Sequence, residues 1–191
     1  SAFAEIDFAR DLLIEVADNG ENGDSADVQF AVELLRSMGP NSQDWEYFAP
    51  QSLKLAQVLE DLRQKVGVTN SRLLLQEATI LREGVVWHSR KGLLLTNSQE
   101  LLERAEDILN LALKILGNKN SRLRNVIMVE LGTLLATKTR LFIDQSSTLE
   151  HITHVFWQAR ESLSKAIVFN PEDYHPVDVM SWLSMKILNS H

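Results

Sequence analysis

The tetrapeptide Asn-Ser-Arg-Leu occurs twice, at 70–73 and 120–123, each time three residues after a glycine, Gly67 or Gly117. Each glycine closes an apolar-striped stretch, "SLKLAQVLEDLRQKVG" or "ELLERAEDILNLALKILG". Each Asn-Ser opens another, "VTNSRLLLQEATIL" or "NKNSRLRNVIMVEL", with Leu81 and Leu131 in the same register. Glycine tolerates the left-handed backbone just past a helix end, and Asn or Ser accepts hydrogen bonds from the first N–H groups of the next helix. Gly67 and Gly117 are therefore expected at C′ positions, with Asn70 or Ser71 and Asn120 or Ser121 as N-caps. A phosphate loop has similar composition, but it occurs once and follows a strand. Here the turn recurs at a 50-residue spacing and no strand pattern precedes it. These turns are hinges between helices.

A third stretch, "HVFWQARESLSKAIVFNP", ends at Pro171 and leads into "EDYHPVDVMSWLSMKIL". The closing residues at 67, 117 and 171 are thus 50 and 54 apart. Upstream, "FAEIDFARDLLIEVAD" sets Phe3, Ile6, Ala9 or Arg10, Leu13 and Val16 about a turn apart. "ADVQFAVELLRSM" resumes helical spacing, with Asp24, Ser25 or Asp27 as N-caps, until Gly39-Pro40 breaks it. The expected fold is all-α: stacked antiparallel helix pairs, as an α-solenoid superhelix or an irregular helical bundle. It divides into an acidic helical pair over 1–50 and a repeat region over 51–191, joined as one continuous domain. Each pair is too small to bury its apolar stripe alone, so neighbours share it.

The charge is uneven. Residues 1–66 hold 13 acidic and 5 basic side chains, a net of -8, whereas 67–191 hold 13 and 14, a net of +1. The total of -7 argues against general nucleic-acid binding, which needs a basic surface to displace counterions. Zero cysteines exclude disulfides, cysteine nucleophiles and thiolate metal sites, and fit a reducing, cytoplasmic compartment. No apolar run approaches the length of a membrane span, and no signal-peptide layout opens the chain. It begins Ser1-Ala2-Phe3, already inside an amphipathic pattern, which reads as a piece of a larger protein.

The closing helices carry small residues at matching steps: Ala105, Leu109, Ala112 and Gly117, then Ala159, Leu163, Ala166 and Pro171. This spacing resembles the second helix of a tetratricopeptide repeat, where small residues admit a close neighbour and a proline closes the unit. Leu131-Gly132 is similar to the Leu-Gly pair of that family's first helix. The repeat there is about 34 residues, shorter than the spacing here. A HEAT-like array of longer helices is the near alternative. The resemblance implies that the first-type helices line a concave groove, with Gln76, Glu83 and Trp87 on one repeat and Asn125, Val129 and Thr133 on the next. Trp87 lies in "GVVWHSRKG" beside His88, Arg90 and Lys91, a composition suited to an acidic peptide or a chain terminus. The rival reading has Arg90 and Lys91 stabilising the helix end. Trp45, Trp157 and Trp182 are assigned to core or inter-repeat space.

Three possible metal motifs fall short on ligand chemistry. "DNGENGDSADVQ" (18–29) matches a calcium loop at Asp18, Asn22 and Gly23, but Gly20, Ala26 and Gln29 stand where ligands belong. His151 and His154 lie one turn apart and are the candidates for a metal, yet a zinc site needs three or four ligands. Glu172 and His175 have di-iron spacing in a single copy, flanked by Pro171 and Pro176. No nucleophile elbow, Walker lysine or dinucleotide glycine pattern is present.

The expected function is a non-enzymatic interaction or scaffold module, without cofactor, that presents a preformed surface to a protein or peptide partner or to other domains of its parent protein. No nucleic acid or membrane partner is expected. The last helix shows Val177, Met180, Leu183 or Ser184, and Ile187 on one side, so a homodimer through it is a further expectation. The alternatives are a small-molecule-sensing regulatory domain and a metal-dependent enzyme using His151 and His154.

Overall fold

The computed structural model describes residues 1–18, 33–66, 71–93, 95–117, 121–145 and 147–188. Among these residues every regular element is helical and none is a strand, so the fold is all-α. The helices are α1 (Ala2–Asp18), α2 (33–38), α3 (Trp45–Phe48), α4 (Ser52–Val66), α5 (Ser71–Arg90), α6 (Ser98–Leu116), α7 (Arg122–Asp144), α8 (Leu149–Phe169) and α9 (His175–Leu188). A single 3₁₀ turn, Ala49–Gln51, joins α3 to α4 and carries Pro50 at its start. The calcium-like stretch beyond Asp18, the caps Asp24, Ser25 and Asp27, and Gly67, Asn70 and Asn120 lie outside the described residues.

The chain forms two compact units, Ser1–Ile115 and Leu116–His191. In the first, α4 and α5 run as an antiparallel hairpin: Arg63 meets Glu77 near the turn, and Ser52 meets Gly84 at the far end. A Cβ on Gly84 would lie 2.3 Å from Ser52 Oγ and 2.7 Å from its Cβ, so only glycine lets the helices close to this distance. α1 packs on α4 through Ala2, Ile6 and Ala9. Phe3, expected on that inner stripe, is 53% exposed instead, with its ring beneath the Lys54 ammonium at 3.1 Å. Lys54 also pairs with Asp7 at 2.6 Å, so a lysine stem rather than a second apolar layer covers this side of α1. The side chains of Leu13 and Val16 lie outside the described residues.

A buried ionic network ties α4, α5 and α6 together. Glu77 is fully buried; its Oε2 accepts from Arg63 Nε at 2.9 Å and its Oε1 from Arg104 Nη2 at 2.7 Å. Arg104 also donates to Glu60 at 2.8 Å. Desolvating a carboxylate costs several kcal/mol, about what such a charge regains only when both oxygens are paired. Glu77 meets that condition.

The second unit is a three-helix bundle. α7 and α8 form an antiparallel hairpin, and α9 packs on both. Its core comprises Leu135, Ala136, Phe142, Val155, Ala159 and Leu183. Gly132 marks the closest approach, since a Cβ there would lie 2.5 Å from Leu163 Cγ. Ser162 Oγ donates to the Met128 carbonyl at 2.8 Å beside it. Capping follows the local chemistry: Ser121 accepts from Arg124 N, Thr148 from His151 N, and Asp173 from His175 N. Gly117 takes φ +60°, the left-handed value expected of a C′ residue.

Both small-residue triplets, Ala105/Leu109/Ala112 and Ala159/Leu163/Ala166, are fully buried. Close helix packing of any kind needs this, and the structure gives no evidence of tetratricopeptide-like repeats. The twin turns also differ in detail. Ser121 is an extended N-cap, whereas Ser71 is already the first helical residue of α5.

Candidate functional site

The end of α5 assembles aromatic, cationic and acidic groups at one point. Trp87 and Lys91 stand one turn apart, and the helical hydrogen bond from Lys91 N to Trp87 O keeps them on one face. Gly92 then takes φ +70° and ends the helix. From α3, Glu46 reaches the same place. Trp87 Nε1 donates to Glu46 Oε2 at 2.9 Å, and Lys91 Nζ lies 3.3 Å from that same oxygen. Lys91 Nζ also sits 5.5 Å from the centre of the indole. His88 presents its ring edge-on to Trp87 at 5.0 Å. Its Nδ1 is 2.8 Å from the Gly84 carbonyl; since a carbonyl only accepts, Nδ1 carries the proton.

These donors hold the Glu46 carboxyl below the usual carboxylate range. The Trp87 hydrogen bond contributes most, Lys91 and Arg90 add to it, and partial desolvation opposes them. The Glu46 side chain is nonetheless 72% exposed. An indole N–H and an ammonium thus converge on one carboxylate at the surface.

The other residues of the expected groove fall into different settings. Gln76 lines an open concavity of about 330 Å³ with Glu33, Arg36, Gly39, Pro40 and Ser42. Glu83 is half-buried and paired with Arg82 at 2.6 Å. In the second unit Asn125 is buried, and its Oδ1 has no hydrogen-bond partner among the described residues. Val129 and Thr133 are half-buried, and the Thr133 hydroxyl donates back to the Val129 carbonyl at 2.9 Å. That hydroxyl is used by its own helix.

The His151 ring lies tilted against Phe142 with ring centres 4.3 Å apart, and both His151 and His154 are exposed. Among the described residues no group of three or more His, Cys, Asp or Glu is placed to hold a metal ion. Glu172 and His175 are both exposed on the way into α9. Of the tryptophans assigned to core or inter-repeat space, Trp45 is half-buried, whereas Trp157 is 52% exposed and Trp182 is 38% exposed; Trp87 is half-buried. Each indole in the second unit is instead covered on one side by an arginine, Arg160 over Trp157 and Arg140 over Trp182.

Sequence reasoning missed two features. Glu77 occupies a core position on α5, between Leu73/Leu74 and Ile80/Leu81, and an acid on an apolar face signals buried partners. Glu46 carried no comparable signal, lying 41 residues from Trp87 in a four-residue helix. No family model, curated protein or solved structure matches the chain. No helix among the described residues is long and apolar enough to cross a membrane.

Proposed function

We propose that this chain is a non-enzymatic helical interaction module that reads a carboxylate, on an acidic peptide or a chain terminus, with Trp87 and Lys91. One observation carries this reading: both groups already donate to a single carboxylate oxygen, that of Glu46. Glu46 acts as an internal stand-in for the ligand. Its exposure and its short helix make it displaceable, because an ion pair between solvated side chains adds little to stability. Arg90, next to Lys91, adds positive potential that steers an acidic segment to the site.

The test is titration of the 191-residue chain with hexaglutamate, following the Trp87 indole N–H resonance. Glu46→Ala is expected to tighten binding several-fold by removing the competitor, and Lys91→Ala to weaken it. Absence of any shift at the Trp87 indole in both wild type and Glu46→Ala, at millimolar peptide, would overturn the proposal.

The small-molecule alternative draws on the concavity beside Gln76, whose volume of about 330 Å³ lies at the low end for ligand pockets. A rise in melting temperature with a metabolite, abolished by Gln76→Ala, would favour it. The metal-dependent enzyme has only the pair His151 and His154 in its support.

A further inference from the structure

α3 is a single turn, Trp45–Phe48, too short to offset the cost of helix nucleation from its own backbone bonds. The Asp44 side chain makes no capping bond to it. Its position is therefore set by what its side chains touch. At the C-terminal end it is anchored, since Phe48 and Ala49 are buried and the 3₁₀ turn runs on into α4. Its two exposed residues reach in different directions. Glu46 takes the Trp87 hydrogen bond and the Lys91 ion pair on α5. Tyr47 donates its hydroxyl to Glu5 Oε1 on α1 at 2.8 Å. Neighbouring helical residues point about 100° apart, so one turn holds a contact on each of two helices.

We infer that α3 is an autoinhibitory strap with two fasteners, in which the Tyr47–Glu5 hydrogen bond holds Glu46 against Trp87 and Lys91 and so keeps the carboxylate site closed. This rests on the reading of Trp87 and Lys91 as that site. Glu5 and Tyr47 are positioning residues that act through Glu46. The two contacts share one turn, so each raises the effective concentration of the other. While Tyr47 is fastened, Glu46 is returned to its partners; once Tyr47 is free, a single exposed contact holds the turn.

The surroundings make α3 the part that moves. α1 has its own anchorage on α4, through buried Ala2, Ile6 and Ala9 and through the Lys54–Asp7 pair, so Glu5 is a fixed post. Trp87 and Lys91 belong to the twenty-residue helix α5. Between them, Glu46 and Tyr47 hang from the buried Phe48–Ala49 pivot. Neither fastener is strong alone, as the Glu46 side chain is 72% exposed and Tyr47 is 47% exposed. The hydrogen bond to Glu5 also raises the Tyr47 phenol above its usual pKa, with desolvation adding to it, so the hydroxyl stays protonated and able to donate. An acidic peptide then binds in proportion to the fraction of chains whose strap is open.

The Trp87 indole N–H resonance of the 191-residue chain reads the strap without any peptide. Glu46→Ala gives the position of the open site. Tyr47→Phe removes one hydroxyl and no charge; it should move the resonance part of the way there while leaving the helical circular dichroism intact. Glu5→Gln should move it in the same direction. With hexaglutamate, Tyr47→Phe should tighten binding about twofold when Glu46 is present and leave it unchanged in the Glu46→Ala background. A general loosening of α1 would act in both backgrounds, so equal tightening with and without Glu46 overturns the strap. So does a Trp87 resonance that Glu46→Ala shifts and Tyr47→Phe leaves at its wild-type position, a result that spares the carboxylate site. A chain that binds no hexaglutamate, yet whose Trp87 resonance follows Tyr47→Phe towards the Glu46→Ala position, keeps the two fasteners coupled and removes the carboxylate reading alone.

Discussion

The two hairpins, α4–α5 and α7–α8, solve one packing problem with opposite materials. Both close on a helical glycine, Gly84 or Gly132. In the first, the glycine sits on the second helix and meets a serine; in the second, it sits on the first helix and meets a leucine. The first hairpin holds a fully buried, doubly paired Glu77, and the residue 50 positions on, Ile127, is fully buried without charge. Helix proximity is thus set by the missing side chain, while the chemistry of the seam is free to differ. Arg63 and Arg104 tie α4 and α6 to Glu77 of α5, whereas α9 packs on the α7–α8 hairpin through an apolar cluster that includes Leu135, Phe142 and Leu183.

The largest expected effect separates the two seams. Glu77→Ala leaves Arg63 and Arg104 without their shared carboxylate and should cost about 3 kcal/mol in denaturant unfolding. Replacing all three residues by apolar side chains of similar volume should recover most of that loss. If Glu77→Ala costs no more than a surface substitution, the ionic network does not organise the first unit. Next come the glycines. Gly132→Ala should destabilise by about 1–2 kcal/mol, overpacking against Leu163 being partly offset by alanine's better helix propensity. Leu163→Ala should remove most of that penalty in a double-mutant cycle, and Ser52→Gly should do the same for Gly84→Ala.

A smaller contrast concerns the buried serines beside those glycines. Ser162→Ala loses a hydrogen bond to Met128 O and should cost about 1 kcal/mol. Ser52 Oγ is buried with no partner among the described residues, so Ser52→Ala should be neutral or stabilising. Equal losses at both would show that Ser52 is satisfied in solution. The smallest effect is at the surface. Because the folded-state pKa of Glu46 is lowered, its contribution to stability is present above the ordinary glutamate range and is lost as pH falls through the depressed value. The Trp87 indole resonance should report that acid-side transition, and Glu46→Gln should abolish it.

Much of the local structure was legible in the residues themselves. The glycine at 117 takes the left-handed conformation expected of it, Ser121 caps its helix, and both alanine–leucine–alanine triplets are buried. Trp87 stood out because its cationic neighbours lie within four positions of it. Its acidic partner did not, since α3 is a single turn and nothing in its composition points towards residue 87. The tryptophans at 157 and 182 misled for a related reason: hydrophobic character predicts a need for cover, and here arginine side chains supply part of it.

By itself the sequence determined that this chain is helical, where several helices stop and start, and which stripes are small enough for close approach. These are properties of a single segment, written in the 3.6-residue period and in the backbone preferences of glycine, serine and proline. Only the tertiary structure decided which helix lies against which, that Glu77 draws arginines from two other helices, that Glu46 pairs with Trp87 and Lys91, and that α9 leaves Val177, Met185 and Leu188 exposed. Those outcomes depend on the fit between side chains far apart in the chain, and an amphipathic stripe specifies that it must be covered without specifying by what.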